Sequence, residues 1–262
     1  RPGIAIIGSR KATPYGLACA EAFASHIASR GIPIISGGAM GCDQCAHRMA
    51  LDAGCPTVVV FGSGADVTYP KRGRALFQRV IDAQGAVISE NPWGTQPLRP
   101  TFVRRNRIIA GLAALVLIVE AGLPSGTFST ADAALRANRD VAAVPGSITS
   151  PNSRGTNHLI AQGAYCVVDT ETLDSAIELA WAHSMYELLS DRVAKGEGDA
   201  CDVLIGSDPV LRALAAEALS AQQLAAYFDF SPGELSRRLA SYELDNLVQR
   251  GMDGRYQLVP RR

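Results

Sequence analysis

Seven short runs of aliphatic and β-branched residues recur along the first 170 positions, and helical stretches separate most of them. The runs are Ile4–Ile7, Ile32–Ile35, Thr57–Phe61, Ala86–Ile88, Ala114–Val119, Val141–Val144 and Tyr165–Val168. Helical patterns cover Tyr15–Arg30, Asp43–Ala53, Arg72–Ala83, Phe102–Leu112 and Thr127–Ala137, with a shorter one over Thr156–Gln162. Continuous apolar strands alternating with amphipathic helices predict a mainly parallel sheet covered on both faces. That is a doubly wound α/β domain, in which ligands bind outside the carboxyl ends of the strands. The longest apolar run, Leu112 to Val119, has the length of a strand and falls far short of the roughly 18 residues that cross a bilayer.

The texture changes after residue 170. Leu173–Val193 reads as one more helix, and Lys195-Gly-Glu-Gly-Asp199 as a linker. Three short helical patterns follow, at Val210–Leu219, Ala221–Phe228 and Pro232–Leu247, and Asp253-Gly254 marks a turn within a final hairpin over Val248–Val259. Ser220 and Ser231 stand at N-cap positions. Three helices and a hairpin predict a small C-terminal winged helix. The organisation read from the sequence is therefore a Rossmann-like domain over 1–193, a linker over 194–208 and a winged-helix domain over 209–262.

The formal net charge of zero hides two unequal parts. Residues 1–170 hold 16 basic and 10 acidic side chains, a net of +6, and the remainder is correspondingly −6. A basic part and an acidic part suggest that the first meets a polyanion. The six cysteines, Cys19, Cys42, Cys45, Cys55, Cys166 and Cys201, are scattered over a chain long enough to need no disulfide framework. Cys42-Asp-Gln-Cys45 is a lone CxxC; a zinc site needs four spaced ligands, so no metal is expected. No secretory leader opens the chain, which points to the cytoplasm, and the first residue is Arg1 rather than Met, which suggests trimming upstream.

Glycine-rich loops carry the chemistry. Gly8-Ser9-Arg10 follows the first strand, and Ser36-Gly37-Gly38-Ala39-Met40-Gly41 follows the second and opens a helix. Backbone N–H groups at such a helix start form a phosphate site, and Arg10 adds a bidentate donor. Gly62-Ser-Gly64 begins like a dinucleotide fingerprint, but Val67 stands where its third glycine belongs, so no nucleotide cofactor is expected. Arg99-Pro-Thr-Phe102-Val-Arg104-Arg105-Asn106-Arg107 holds four arginines, an aromatic and no acid. Arginine for phosphate and Phe102 for base stacking is how sequence-blind single-strand binders are built. Phe102 reads equally as a core anchor. Ser125-Gly126-Thr127 can donate to a further anion, whereas Asp43 and Glu120 read as caps or loop anchors and His47 as packed on its helix. No nucleophile, base and orienting group come together.

Seven strings occur in order: Gly8-Ser-Arg10; Ser36 to Asp43 with Ala46-His47; Ser89-Glu-Asn-Pro92; Arg105-Asn-Arg-Ile-Ile-Ala-Gly111; Glu120-Ala-Gly122; Val144-Pro-Gly-Ser147; and Ser153-Arg-Gly-Thr-Asn157. Together they resemble the DNA processing protein A family, also called Smf, across residues 3–170. The resemblance implies an extended Rossmann-like domain that binds single-stranded DNA, forms a homodimer and loads the RecA recombinase in natural transformation, without catalysis. The family's DNA pocket would carry over to Arg10, to Gly37 and Gly38, and to the stretch from Arg99 through Phe102 to Arg107. The winged helix matches a domain that often follows, and a helical N-terminal domain found in some members has no counterpart here. Cys42 stands in place of the usual aliphatic residue and Cys45 in place of a small one.

A competing enzymatic reading is a nucleotide phosphoribohydrolase, which has a similar sheet and a Pro-Gly-Gly-x-Gly-Thr loop followed closely by a glutamate. Here Leu123-Pro-Ser-Gly-Thr-Phe-Ser-Thr-Ala-Asp132 occupies that place and no glutamate follows until far downstream. A third reading makes Pro232–Leu247 a duplex-reading helix. Its Arg237 and Arg238 are outweighed by Glu234, Glu243 and Asp245, which suits protein contact better than a phosphate-lined groove.

Overall fold

A computed structural model describes residues 2–194, 208–228, 230–244, 247–251 and 253–259. The chain divides into two compact units, Arg1–Ser184 and Met185–Arg262. The linker expected over 194–208 lies outside the described residues except at its two ends.

In the first unit the strands are β1 (Gly3–Ile7), β2 (Ile34–Ser36), β3 (Thr57–Val60), β4 (Ala86–Ile88), β5 (Ala113–Ile118), β6 (Asp140–Ala143) and β7 (Tyr165–Cys166). The helices are α1 (Pro14–Ser29), α2 (Cys42–Asp52), α3 (Arg74–Asp82), α4 (Arg99–Leu112), α5 (Phe128–Arg136) and α6 (Arg154–Ala161), and α7 (Thr170–Ala194) starts in this unit and continues past its boundary at Ser184. The strands form one sheet in the order β4-β3-β2-β1-β5-β6-β7, and every neighbouring pair is parallel. This is the doubly wound, Rossmann-like sheet the alternation predicts.

Period two along each strand sends successive side chains to opposite faces. Ile4, Ile6, Leu115 and Leu117 meet Ala24 and Ile27 of α1, Ala46 and Ala50 of α2, and Leu173 and Ile177 of α7. Ala5, Ile7, Val116 and Ile118 meet Ile109 and Ala110 of α4, Ala131 and Ala134 of α5, and Leu159 of α6. Both faces are dry, so β1 and β5 carry no polar alternation. Burying each large aliphatic side chain contributes about 1.5–3 kcal/mol. The chain runs outward from β1 to β4 and re-enters beside β1 as β5, so the loops after β1 and β5 diverge to opposite faces. This is the switch point at which such sheets hold ligands. Glu120, just past β5, spans the divergence: its buried carboxylate accepts from the Thr13 N–H at 2.9 Å and the Thr13 hydroxyl at 2.5 Å. Thr13 in turn caps α1 through the Gly16 N–H at 3.1 Å. The loop-anchor reading of Glu120 therefore holds.

The second unit contains α8 (Pro209–Ala216), α9 (Ala221–Phe228), α10 (Pro232–Leu244) and the antiparallel pair β8 (Val248–Arg250) and β9 (Tyr256–Leu258). Val210, Leu211, Leu214, Leu224, Leu235, Leu239 and Val248 form its core. Each helix start is capped. Asp208 accepts from the Val210 and Leu211 N–H groups and from the Tyr242 hydroxyl. Ser220 and Gln223 form a reciprocal capping box, and Ser231 accepts from the Glu234 N–H. Gly254, at φ +80°, turns the hairpin. Leu219 bridges to Tyr256, which ties the segment after α8 to the hairpin in the manner of a winged helix.

Several boundaries differ from expectation by one to three residues, those of β2, α6 and α8 among them. Helix α4 begins at Arg99 rather than Phe102, because Pro100 falls in its first turn, where a missing N–H costs nothing. Strand β7 is only two residues long.

Candidate nucleic-acid interface

The loops at the carboxyl ends of β1, β2 and β3 converge with the start of α4. The innermost groups there are two buried side chains of opposite charge, Asp43 and Arg105. Asp43 is 5% exposed and Arg105 is 5% exposed. The Arg105 guanidinium donates to the Gly37 carbonyl at 2.9 Å and to the Val60 carbonyl. The Asp43 carboxylate accepts from the Ala39 N–H at 3.3 Å and from the Gly8 N–H. Burial pushes the Asp43 carboxyl up to about 6, against the downward pull of Arg105 and these donors. Burial likewise lowers Arg105 to about 10, which leaves it cationic at neutral pH.

At the start of α2, where the sequence suggests a phosphate site, the Ala39 N–H is directed at the protein's own Asp43 carboxylate. Gly8, Gly37 and Gly38 are all buried. A Cβ on Gly37 would lie 2.7 Å from the Arg105 Nη1, so only glycine lets the guanidinium settle there. Gly38 offers its carbonyl inward to the Gln44 amide at 3.1 Å. Ser9 is half-buried; its hydroxyl accepts from the Lys11 N–H and its carbonyl from the Cys42 N–H. Beneath these loops His47 is fully buried, as the packed reading requires. Its Nδ1 lies 2.8 Å from the Thr57 hydroxyl, which itself donates to the Ile34 carbonyl, so His47 carries its proton on Nδ1. Burial lowers it to about 3 and keeps it neutral.

Above this floor stands an open rim. Phe102 is half-buried, with the Arg10 guanidinium 5.7 Å and the Arg105 guanidinium 5.9 Å from its ring centre. Tyr69, 42% exposed, lies 5.4 Å from Phe102 in a tilted ring pair. Gly62 backs the phenyl ring so closely that a Cβ there would lie 2.6 Å from it. Arg10, Lys11, Lys71, Arg72 and Arg99 are exposed, and among the described residues none has an ion pair. Arg99 opens α4, and no acid stands in that first turn. A cation at the positive end of a helix is unfavourable for the helix, so Arg99 is not there to stabilise α4. The arrangement offers ring faces and exposed cations, of which Arg10 is placed against the Phe102 ring.

The four arginines of the α4 string have separate placements. Arg105 is in the core, where the sequence reading placed an exposed guanidinium. Arg104 and Arg107 share the Glu90 carboxylate, at 3.1 Å for Arg104 and 2.5 Å for Arg107. Arg104 also donates to Asn91 at 2.7 Å. These two clamp the 89–95 turn to α4. Of these four, Arg99 alone has neither an ion pair nor a side-chain hydrogen bond among the described residues. The Asn106 amide donates to the Ser129 hydroxyl and joins α4 to α5. Ser125 and Thr127 hydrogen-bond to each other, and the Gly126 carbonyl accepts from the Ser129 hydroxyl, so the polar groups of that loop are directed at the loop itself and at the start of α5. Cys42 and Cys45 are free and buried.

Sequence reasoning missed Tyr69 and the basic pair after it. The string Tyr69-Pro-Lys71-Arg72 was the available signal: an aromatic followed by two cations in a loop after β3. Arg105 was also legible, because it sits four residues before the buried Ile109 and three after Phe102, on one helical face.

Comparison with known proteins agrees with this fold. The family model for DNA recombination-mediator protein A matches residues 1–178. Protein Smf of Escherichia coli is 41% identical over 170 residues, 65% of this chain and 46% of its own length. A DNA processing protein DprA of Mycobacterium tuberculosis is 35% identical over 257 residues, 97% of this chain and 64% of its own. The chain thus spans less than two thirds of each of these relatives. Among solved structures, DNA processing protein A from Helicobacter pylori, described for its single-stranded DNA binding mode, aligns with a TM-score of 0.60. It is 30% identical and covers 68% of this chain and 80% of that one. This chain belongs to the DNA recombination-mediator protein A family.

Proposed function

We propose that this chain binds single-stranded DNA along the rim formed by Arg10, Tyr69, Phe102 and Arg99, and that it acts on recombining DNA as a binding protein rather than a catalyst. The observation that carries the reading is the aromatic pair Tyr69–Phe102 bordered by Arg10, at the carboxyl ends of parallel strands. Such a surface suits strands of any sequence, because every base has a face to stack and every nucleotide a phosphate. In this reading Arg105 and Asp43 position Phe102, and Arg104 and Arg107 hold the neighbouring turn; they support the interface without meeting phosphate. The same reading extends to a homodimer in the cytoplasm that delivers the RecA recombinase to incoming DNA in natural transformation, on the strength of the family to which the chain belongs. The single-stranded DNA mode described for the H. pylori relative supports the first step.

The test is a titration of labelled oligo-dT over a salt series, beside a duplex of the same length. With about 4–6 phosphate contacts per protomer, log K should fall against log salt with a slope of about −3 to −4, at about −0.7 per phosphate on single strands. Binding indifferent to salt, or preference for the duplex, would overturn the reading.

A further inference from the structure

The second exposed aromatic near this rim is Trp93, and none of the sequence strings or the contacts described above uses its indole. It is 81% exposed, a large apolar surface for a folded chain to leave in water. Its exposure does not come from a loose loop. The Gly94 N–H donates to both Asp66 carboxylate oxygens, at 2.9 and 3.0 Å. Thr95 closes the turn onto the Pro92 carbonyl through its N–H at 3.2 Å and its hydroxyl at 2.7 Å. Gly94 sits at φ +78° to complete it. The turn therefore holds Trp93 outward on a fixed support.

That support is joined to the Phe102 site. The Gly64 N–H donates to the Thr95 carbonyl at 2.9 Å, the Asn91 amide donates to the Gly62 carbonyl at 3.0 Å, and the Ser89 hydroxyl donates to the Ser63 carbonyl at 2.6 Å. Gly62 is the residue packed against the Phe102 ring. One loop of three residues, about 7 Å of chain between its ends, thus touches Phe102 on one side and carries the Trp93 turn on the other. The acids nearby are already engaged: Asp66 by Gly94, and Glu90 by Arg104 and Arg107. An indole held beside a stacking pair, in a region with unpaired cations, has the properties of a further base platform.

We infer that Trp93 stacks on a nucleobase of the same single strand that occupies the Tyr69–Phe102 pair, and so extends the bound path beyond that pair. This inference rests on the single-strand reading above. Its ligand class is one unpaired base, of any identity, adjacent along the strand to those at Phe102.

Two tryptophans make the test direct. Trp181 is half-buried and donates its Nε1–H to the Pro2 carbonyl at 3.0 Å, so Trp93 is the more accessible reporter. The full chain is titrated with unlabelled oligo-dT while its tryptophan emission is followed, and affinity is measured separately by anisotropy of end-labelled oligo-dT. Wild-type emission should fall as the strand binds, and Trp93→Phe should abolish that response. Trp93→Ala should weaken binding by about 5- to 30-fold, the equivalent of 1–2 kcal/mol of stacking, with melting temperature and salt slope unchanged. Trp93→Phe should recover most of the affinity. Wild-type binding without quenching, or Trp93→Ala binding as tightly as wild type, would overturn the inference while leaving the single-strand reading intact. Failure of the wild-type chain to bind oligo-dT at all would overturn both.

Discussion

The floor and the rim of this site lie within a few residues of each other and follow opposite rules. On the floor, Gly8, Gly37, Ala39, Asp43 and Arg105 direct their polar groups at one another, and little of their surface reaches water. On the rim, Arg10, Tyr69 and Trp93 leave rings and cations exposed. A buried charge needs a partner in the folded chain, whereas an exposed cation can keep its interaction for a ligand. A charged residue in a loop sequence is therefore ambiguous until its burial is known, and Arg105 and Arg10 are the two outcomes.

The difference can be broken most forcefully at Arg105. Arg105→Ala strands the Asp43 carboxylate and leaves the Gly37 and Val60 carbonyls without their donor. Leaving a buried carboxylate without the opposite charge near it, and two buried carbonyls without their donor, costs about 3–5 kcal/mol, so thermal melts should show a fall of about 10 °C for a domain of this size. A melting temperature within about 2 °C of wild type, where less than about 1 kcal/mol has been lost, would mean that the floor is not structural. Phe102 stands between the two regions, and Phe102→Ala should show it. Half-burial predicts a loss of about 2 kcal/mol in stability, below the roughly 3–5 of a fully buried ring. It also predicts weaker binding with no change in salt slope, since stacking releases no counterion. A full core-sized loss with unchanged affinity would assign the ring to the floor alone. Arg10→Ala should have the smallest effect on folding, within about 0.5 kcal/mol, while the salt slope flattens by about 0.7 for one lost phosphate contact. An unaltered slope would remove Arg10 from the binding rim.

Most of the scaffold was legible because the strands are apolar throughout and the helices amphipathic, so period and length sufficed to place them. The start of α4 was not: Arg99-Pro100 reads as loop unless proline is recognised as a first-turn residue. The site was legible in its parts and misjudged in its depth. Gly37 and Gly38 were read as a cradle for an outside phosphate, since glycine marks close approach without naming what approaches. Here it is the Arg105 guanidinium that comes up against Gly37. Asp43, read as a cap or anchor, does accept a loop N–H. Tyr69 and Trp93 escaped notice because each lies in a loop, where no periodicity points to a partner.

The sheet ends in very short strands, three residues in β4 and two in β7. An edge strand is a template for another chain, because its outward N–H and C=O groups are unpaired. Edges this short offer only a few such groups, too few to hold an added strand in register. The long, wholly apolar strands β1 and β5, which would be dangerous as edges, are both flanked by partners. Parallel sheets assemble slowly because their contacts are distant in sequence, and β1 is exposed to mispairing until β5 arrives from more than a hundred residues downstream. Once β5 is in place, the surface most prone to fibre growth is sealed, and protection from aggregation becomes a property of completed topology.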